Sequence, residues 1–435
     1  MNIIKIEKIK KNFRNSSITS YLYILLKSNL KIKELSRNLK AYSILKKSKL
    51  FDEDYYLKRC PHLKESFISP MIYYMYYWFK EDENPSIGFD ESYYLHKYPD
   101  VKKANINPLL HYILYGKVEE RYPNKYEAIL NSLPSKQKIS IKVPSPNAKK
   151  TKWGDYHFAK SLKTSLEDMG YEVVIQPKEW YNKSDFDIDI VIVLRGLKKY
   201  FPKPQHYNIM WNISHPDIVA TQEYDEYDLV FIASEKYAEK IKNKVNTSVY
   251  PLLQCTDPDV FYPKYSKEFE NEILFVGNTR KVFRKIIQDI LKTKHNFSVY
   301  GTGWKKFIPE KYIKKDFISN EKLFKAYSSC KILLNDHWED MANNGFVSNR
   351  IFDGFASKAF IISDKVEGFE IFEDALVTYS NPNDLDEKIK HYLNNKTEKE
   401  EKAEKGYYIV IKNHTFKNRA EKMIEIVKKE IKLKT

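Results

Sequence analysis

The central and C-terminal parts of the chain alternate between short apolar runs and longer segments with helical spacing of apolar residues. The runs occupy residues 139–143, 172–175, 188–194, 207–211 and 229–232, then 272–276, 297–300, 331–335 and 360–363. Strands that are apolar at consecutive positions are typical of parallel sheets covered on both faces. The pattern therefore predicts an α/β protein with two doubly wound parallel sheets, the second beginning near residue 270.

A repeat precedes the first sheet. The segment that starts at Phe51 matches the segment that starts at Phe89 without gaps, as Phe-Asp-Glu-x-Tyr-Tyr-Leu, and Ser69-Pro70 matches Asn107-Pro108. Each copy predicts two short helices, one capped by aspartate and one begun by proline. We expect the tyrosines to pack against one another rather than to form sugar platforms. A linker is predicted at residues 122–137.

The first 50 residues predict a basic helical arm. They hold 13 Lys and Arg against two Glu, a net of +11 within a formal net charge of +16. Apolar residues at 32, 35, 39 and 44 have roughly helical spacing. Two interpretations remain open: an amphipathic helix on an anionic membrane surface, and a solvated arm. Nucleic acid is not an expected partner, because the basic residues are not interleaved with aromatic platforms and no nucleic-acid motif is present.

Composition narrows the class of protein further. A hydrophobic content of 42% supports sizeable cores. Three cysteines without metal-ligand or disulfide spacing favour a reducing cytoplasm. No apolar run reaches the roughly 18 residues of a membrane span, so we expect a cytoplasmic protein, with peripheral attachment to the inner membrane face as one option.

Residues 344–364 carry the most informative chemistry. A glycine loop containing Gly345 leads into a short helix with Asn349, Arg350 and Asp353, followed by a strand ending at Asp364. A helix N-terminus and an arginine favour a diphosphate, and a carboxylate on the same helix face can accept from ribose hydroxyls. The segment predicts a nucleoside-diphosphate site.

The run from about 272 to 395 resembles the donor-binding half of a GT-B glycosyltransferase. It is most similar to the spore-coat-type (CgeB-like) branch of the group 1 glycosyltransferases, whose Gly…Asn-Arg-x-Phe-Glu-Ala pattern matches here except for Asp353 and Gly354. The first acidic residue of the related Glu-x7-Glu pattern would fall at Gly345, and Glu339 and Asp340 are out of register. The repeats resemble helical modules of bacterial surface-polysaccharide glycosyltransferases.

This resemblance implies two Rossmann-like domains facing across a cleft. The residues expected to bind the donor are Gly154, Arg195, Gly277, Arg280, Arg284, Gly301, Gly345, Asn349, Arg350 and Asp353. His215 is expected to contact the donor sugar at the catalytic centre, because a histidine occupies the corresponding loop of the family. Asp155 and His157 are further catalytic candidates, with Asp155 equally readable as a helix N-cap. Asp187 and Asp189 raise a metal interpretation, which their place at the start of a strand disfavours; no metal or cofactor is expected.

The expected domains are a basic arm (1–50), two helical repeats (51–124), an acceptor-side domain (138–263) and a donor domain (264–435). The last ends in a helix pair from residue 406, for which a return to the first domain is one option. The predicted function is metal-independent sugar transfer from a nucleoside-diphosphate sugar to a hydroxyl of a cell-surface glycan or its lipid-linked precursor, as in bacterial capsule or lipopolysaccharide synthesis. Retention of anomeric configuration is favoured; inversion would need Asp155, His157 or His215 as base. The alternatives are a non-catalytic scaffold that binds glycan or partner enzymes, and a nucleotide-sugar-modifying enzyme such as an epimerase.

Overall fold

A computed structural model describes residues 17–29, 31–81, 83–181 and 187–434. Two six-stranded sheets, all parallel, form the body of the protein. The first has the order β2-β1-β3-β4-β5-β6, with strands Lys138–Val143, Glu172–Pro177, Ile190–Arg195, Tyr207–Asn212, Leu229–Ile232 and Val249–Pro251 numbered in chain order. The second has the order β12-β11-β10-β7-β8-β9, with strands Asn271–Val276, Ser298–Tyr300, Ile313–Lys315, Cys330–Asn335, Ile361–Ser363 and Val377–Thr378. The predicted fold class, a pair of Rossmann-like domains behind an all-helical region, is confirmed.

Helices cover both faces of each sheet. Those of the first domain are Gly154–Asp168, Thr221–Tyr224 and Glu235–Lys242; those of the second are Lys285–Ile290, Asn320–Ser328, Glu339–Asn343, Asn349–Ala356, Pro382–Asn394 and Lys396–Asn413. Every residue of β3, β4 and β5 is buried, which explains why these strands are apolar at consecutive positions.

The final helix, Phe416–Lys434, returns to the first domain. Phe416, Met423 and Val427 lie in the core of the first sheet, and the ring of Phe416 is 4.6 Å from that of Phe158. The segment 264–435 therefore serves both domains, because the apolar face of its last helix is buried against the first sheet. The chain thus returns to the first domain at its C-terminal helix, which is the option named from the sequence.

The N-terminal region is entirely helical where it is described. Its helices are Ser17–Lys27, Ile32–Ser48, Glu53–Arg59, Pro70–Glu81, Glu91–Lys97, Pro99–Ala104, Pro108–His111 and Lys125–Asn131. Asp52 and Asp90 cap equivalent helices of the two copies, each accepting from the backbone N–H three residues later at 2.9 Å. Tyr56, Tyr74 and Tyr94 are fully buried, so these tyrosines serve packing.

The arm of residues 1–50 is part of this helical region over its described length. Ile24, Tyr42 and Leu45 are buried against the repeats, so the helix Ile32–Ser48 is not a solvated extension. Residues 1–16 of the predicted arm lie outside the described residues. None of the described helices is long and apolar enough to cross a bilayer.

Ion pairs join the repeats to the first domain. Lys97 Nζ lies 2.5 Å from Asp189 Oδ1, and Lys125 Nζ lies 2.9 Å from Asp228. Asp189 also accepts from the backbone N–H of Lys138 at 3.0 Å, and Asp187 pairs with the Lys138 side chain. Asp187 and Asp189, the two residues that raise a metal interpretation, therefore bind lysine side chains and a backbone N–H near the amino ends of strands.

Candidate functional site

A cavity of about 340 Å³ lies between the two domains. It is bounded by loops that follow the carboxyl ends of strands, where ligands of doubly wound sheets bind. Nine of the thirteen residues predicted for the site line it: Gly154, Asp155, His157, His215, Arg280, Arg284, Asn349, Arg350 and Asp353. Residues separated by up to 199 positions in the chain (154 to 353) thus share one cleft.

The helix Asn349–Ala356 forms the second-domain wall. Ser348 caps it, with Oγ 3.4 Å from the backbone nitrogen of Arg350. The backbone N–H of Ser348 donates to Nε2 of His337 at 2.9 Å. The sequence predicts free backbone N–H groups at the start of this helix. Those of Ser348 and Arg350 already donate to side chains of the protein. Side chains thus carry more of the site's capacity for an anion than the sequence suggested.

His337 is held by a carboxylate on its other side. Its Nε2 accepts from Ser348, so a neutral ring carries its proton on Nδ1, which donates to Asp364 Oδ1 at 2.7 Å. Burial would raise the pKa of Asp364, but the hydrogen bonds from His337 outweigh it and lower the pKa. This relay sets the start of the helix that presents Arg350.

Arg350 is the main cationic group on this wall. Its guanidinium donates to Asn335 Oδ1 at 2.6 Å and lies 5.3 Å from the centre of the Phe275 ring. Among the described residues, no carboxylate forms an ion pair with it. Partial removal from water lowers the pKa of Arg350. A guanidinium in a cleft, without an ion pair to any described carboxylate, is suited to an anionic ligand.

Asp353 lies at the base of the cleft, one turn after Asn349. Its oxygens accept from Thr256 Oγ1 at 2.8 Å and from Asn349 Nδ2 at 2.7 Å. Burial raises the pKa of Asp353 to about 8. The carboxyl group is therefore largely protonated at neutral pH and ties the helix to the segment around Thr256 that links the two sheets.

Close packing explains Gly354, at a position where the family that the chain resembles has alanine. A Cβ atom there would lie 2.8 Å from Leu333 Cδ2 and 2.9 Å from Ile361 Cδ1. The helix packs so closely on β10 and β11 that a methyl group would force it away.

Arg280 and His215 meet across the cleft. Arg280 donates to His215 Nε2 at 3.0 Å, and His215 Nδ1 lies 3.4 Å from Asp340 Oδ2. Because a guanidinium can only donate, Nε2 accepts and the ring proton of a neutral imidazole faces Asp340. Burial lowers the pKa of His215, partly opposed by the Asp340 charge. His215 is thus held between Arg280 and Asp340 as a neutral imidazole in one tautomer.

Arg284 differs from Arg280 although both line the cavity. It forms a buried bidentate pair with Asp336, including a 3.0 Å bond from Nε to Oδ2, and stacks 4.0 Å from the Trp338 ring centre. Its charge is balanced by the protein. We therefore assign it to holding the loop after β10 rather than to supplying free positive charge.

The first-domain wall is the start of the helix Gly154–Asp168. Trp153 occupies the N-cap position, so the interpretation of Asp155 as the cap is wrong. Burial raises the pKa of Asp155, opposed by the Arg280 charge. Nothing lies within 4 Å of a Cβ built on Gly154, so this backbone borders open cleft. His157 is partly fixed by a 2.8 Å hydrogen bond to the Thr151 carbonyl.

Four predicted site residues do not line the cavity. Arg195 is 3% exposed and forms a buried bidentate pair with Glu223, with a further bond to the Ile218 carbonyl. It holds the turn that follows His215 rather than facing a diphosphate. The prediction from its place at a strand end missed Glu223, whose carboxylate accepts from both Nε and Nη2 of Arg195.

The remaining three are glycines with packing roles. A Cβ on Gly301, at φ 147°, would overlap the Gly277 carbonyl, so these two residues permit the close approach of two loops. Gly345, at φ 73°, packs against Ser234, whose hydroxyl donates to the Asn344 carbonyl at 2.6 Å. Gly345 belongs to a contact between the domains rather than to the cavity.

Sequence reasoning missed several lining residues that follow β10. Asp336, His337 and Trp338 all border the cavity. Their signal was their position directly after an apolar strand, where parallel sheets place ligands. Asp340 is out of register with the Glu-x7-Glu pattern of the related family. Its carboxylate nevertheless reaches His215 from this same segment.

Comparisons with known proteins concern the family and the fold. Residues 280–425, which include most of the second domain, match the family described as glycosyl transferase-like. No curated protein matches the chain.

Two solved structures share the architecture. A sucrose-phosphate synthase from Thermosynechococcus elongatus is 10% identical over 68% of this chain and 100% of that chain, with a TM-score of 0.51. An alpha-glucosyltransferase in complex with UDP and a 13-mer DNA is 12% identical over 67% of this chain and 99% of that chain, also at 0.51. At these identities the likeness shows the GT-B fold.

Proposed function

We propose that this protein is a glycosyltransferase that moves a sugar from a nucleoside-diphosphate sugar to a hydroxyl group of a cell-surface glycan or its lipid-linked precursor. The observation that carries the proposal is the pair of arginines, Arg280 and Arg350, facing one cleft without carboxylate partners among the described residues. A leaving diphosphate brings negative charge that these two arginines can pair with. The match to a glycosyl transferase-like family over the same wall supports this chemistry.

The residues of the second domain have distinct tasks in the proposed reaction. Arg350 and Arg280 bind the diphosphate and stabilise its charge as the glycosidic bond breaks, without a metal ion. Asp353 and Asn349 meet the ribose at the base of the cleft. The alpha-glucosyltransferase of the same fold is complexed with UDP, a ligand of this class.

His215 lies where it can assist either stereochemical outcome. In the retaining reaction, which the family resemblance favours, it contacts the sugar while the leaving phosphate accepts the acceptor proton. In an inverting reaction its Nε2, released when Arg280 turns to the diphosphate, accepts that proton. The anomeric configuration of the product, read by NMR, distinguishes the two.

The first test is thermal unfolding with a panel of nucleoside diphosphates and their sugars. We expect one base to raise the Tm by a few degrees at saturating ligand, with the shift lost in Arg350→Ala. The matched control is Arg59→Ala, which removes an arginine that pairs with Glu83 on the surface, far along the chain from the cleft. A flat panel on a folded protein would overturn the donor site and favour a non-catalytic scaffold.

A second measurement separates transfer from modification of the donor. Incubation of the protein with the stabilising nucleotide sugar alone should leave the sugar's configuration unchanged. A new epimer formed without acceptor would contradict transfer and establish a nucleotide-sugar-modifying enzyme.

A further inference from the structure

An exposed apolar face lies on the first described helix, outside the cleft. On Ser17–Lys27, the side chains of Ser20 and Ile24 turn inward and are buried. Leu22 and Leu26 point outward and are 53% and 73% exposed. With Ile18, also exposed, they follow one another at four-residue spacing and so share one side of the helix.

A neighbouring loop extends this surface. Phe67, in the loop before Pro70–Glu81, is 64% exposed. Leu22, Leu26 and Phe67 line an apolar cavity of about 280 Å³ together with Ile72. We call Ile18, Leu22, Leu26 and Phe67 the apolar face. Clusters of this kind, unlike isolated exposed apolar residues, mark interaction sites.

Basic residues surround the apolar face. Residues 17–50 hold eight Lys and Arg but one acidic residue, Glu34, a net of +7. All eight are exposed: Lys27, Lys31, Lys33, Arg37, Lys40, Lys46, Lys47 and Lys49. A second copy of the chain would bring the same positive charge to the contact, whereas an anionic lipid surface brings the opposite charge.

We propose that the apolar face docks the protein on an anionic membrane surface, with its leucines inserted among the lipid chains and its lysines among the headgroups. Over its described residues the helix has one exposed apolar side and one buried side, which is the arrangement of a helix that lies in the plane of the interface. This inference does not depend on the proposed transfer activity. It adds a location for the enzyme that suits a lipid-linked acceptor.

The test is flotation of the full-length protein with vesicles, in the absence of any nucleotide sugar. Vesicles of phosphatidylglycerol and phosphatidylcholine in equal parts should carry the protein upward, and vesicles of phosphatidylcholine alone should carry much less. High salt should reverse most of the binding, because it screens the attraction between lysines and headgroups.

Paired variants resolve the two contributions. Leu22→Gln with Leu26→Gln should weaken partition into anionic vesicles at least about tenfold, since two inserted side chains are lost. The matched control is Val118→Gln with Leu433→Gln, two residues that are 85% and 74% exposed elsewhere. Lys27→Gln, Lys31→Gln and Lys33→Gln together should weaken it about fivefold per residue. The same change at Lys422, Lys428 and Lys429 of the last helix is the control.

Three results would overturn the proposal. The first is a folded wild-type protein that does not float with anionic vesicles, and the second is a leucine variant that floats equally well. The third is a dimer in lipid-free sedimentation that the leucine variant abolishes, which would assign the face to a second copy. None of these results bears on the Arg350 test, which uses nucleotide and no lipid.

Discussion

Two arginines, one in each sheet domain, lie close to the carboxyl ends of strands and have opposite environments. Arg195 ends β3, is buried and is fully paired with Glu223. Arg350 reaches the end of β10 through Asn335 and faces the cleft without an ion pair among the described residues. A compensated arginine holds its own domain together, whereas an uncompensated one retains capacity for a ligand's charge. The same residue type at a similar place thus serves structure in one domain and binding in the other.

The largest effect is expected when the compensation in the first domain is removed. Glu223→Ala should lower the free energy of unfolding by about 3–5 kcal/mol, because Arg195 would remain buried without a counter-charge. Urea unfolding measures this loss. Glu226→Ala is the control, since Glu226 pairs with Lys199 at the surface and should cost less than about 1 kcal/mol. Equal stability of the two variants would contradict the comparison.

Removal of Arg350 should act on binding instead. Arg350→Ala should weaken the nucleoside diphosphate by about 10- to 100-fold, the value of charge-assisted hydrogen bonds, measured by calorimetry. The free energy of unfolding of the ligand-free protein should change little, because Arg350 has no ion-pair partner in the described part of the chain that its removal would leave unpaired. Arg350→Lys should restore only part of the affinity, since lysine keeps the charge but lacks the two parallel N–H donors of a guanidinium. A stability loss as large as that of Glu223→Ala would make Arg350 structural as well.

A smaller, pH-dependent effect is expected at Asp353. Its pKa, raised by burial to about 8, lies above the value of about 4 in the unfolded chain. The folded state therefore binds the proton more tightly, and this group's contribution to stability falls as pH rises through that window. Asp353→Asn should gain stability relative to wild type from about pH 5 to about pH 8, by at most about 1.4 kcal/mol per pH unit.

Urea unfolding at several pH values provides the measurement for Asp353. Asp259→Asn, at an exposed aspartate nearby in the chain, is the control and should leave the pH dependence unchanged. Parallel pH curves for wild type and Asp353→Asn would show that the carboxyl group does not titrate in the way its burial implies.

The smallest effect is expected at Asp340. The Asp340 charge raises the pKa of His215 against the effect of burial, so Asp340→Asn should lower this pKa further. If neutral His215 is needed for turnover, the acid limb of the pH–rate profile should move to lower pH in the variant. Glu339→Gln is the neighbouring control. If the acid limb is unchanged, Asp340 neither positions His215 nor sets its tautomer.

Local patterns were sufficient for several features. Apolar runs at consecutive positions predicted both parallel sheets, because strands covered by helices on two faces have no polar side. The aspartate and proline positions of the repeat predicted helix starts, and Asp52 and Asp90 form those caps. Arg350 and Asp353 were predicted from helix spacing, Arg280 and Asn349 were expected from the family resemblance, and all four line the cavity.

The features that depended on contacts distant in sequence were not predictable in this way. Arg195 and Glu223 are 28 residues apart, and nothing local to Arg195 shows that a carboxylate will reach it. The Asp364–His337–Ser348 relay and the contact of Asp340 with His215 likewise join separate loops. The sequence by itself determined the fold class and the kinds of groups at the cleft, since both follow from periodicity and strand position. Only the tertiary structure decided which charges are compensated, because compensation depends on partners that folding alone brings together.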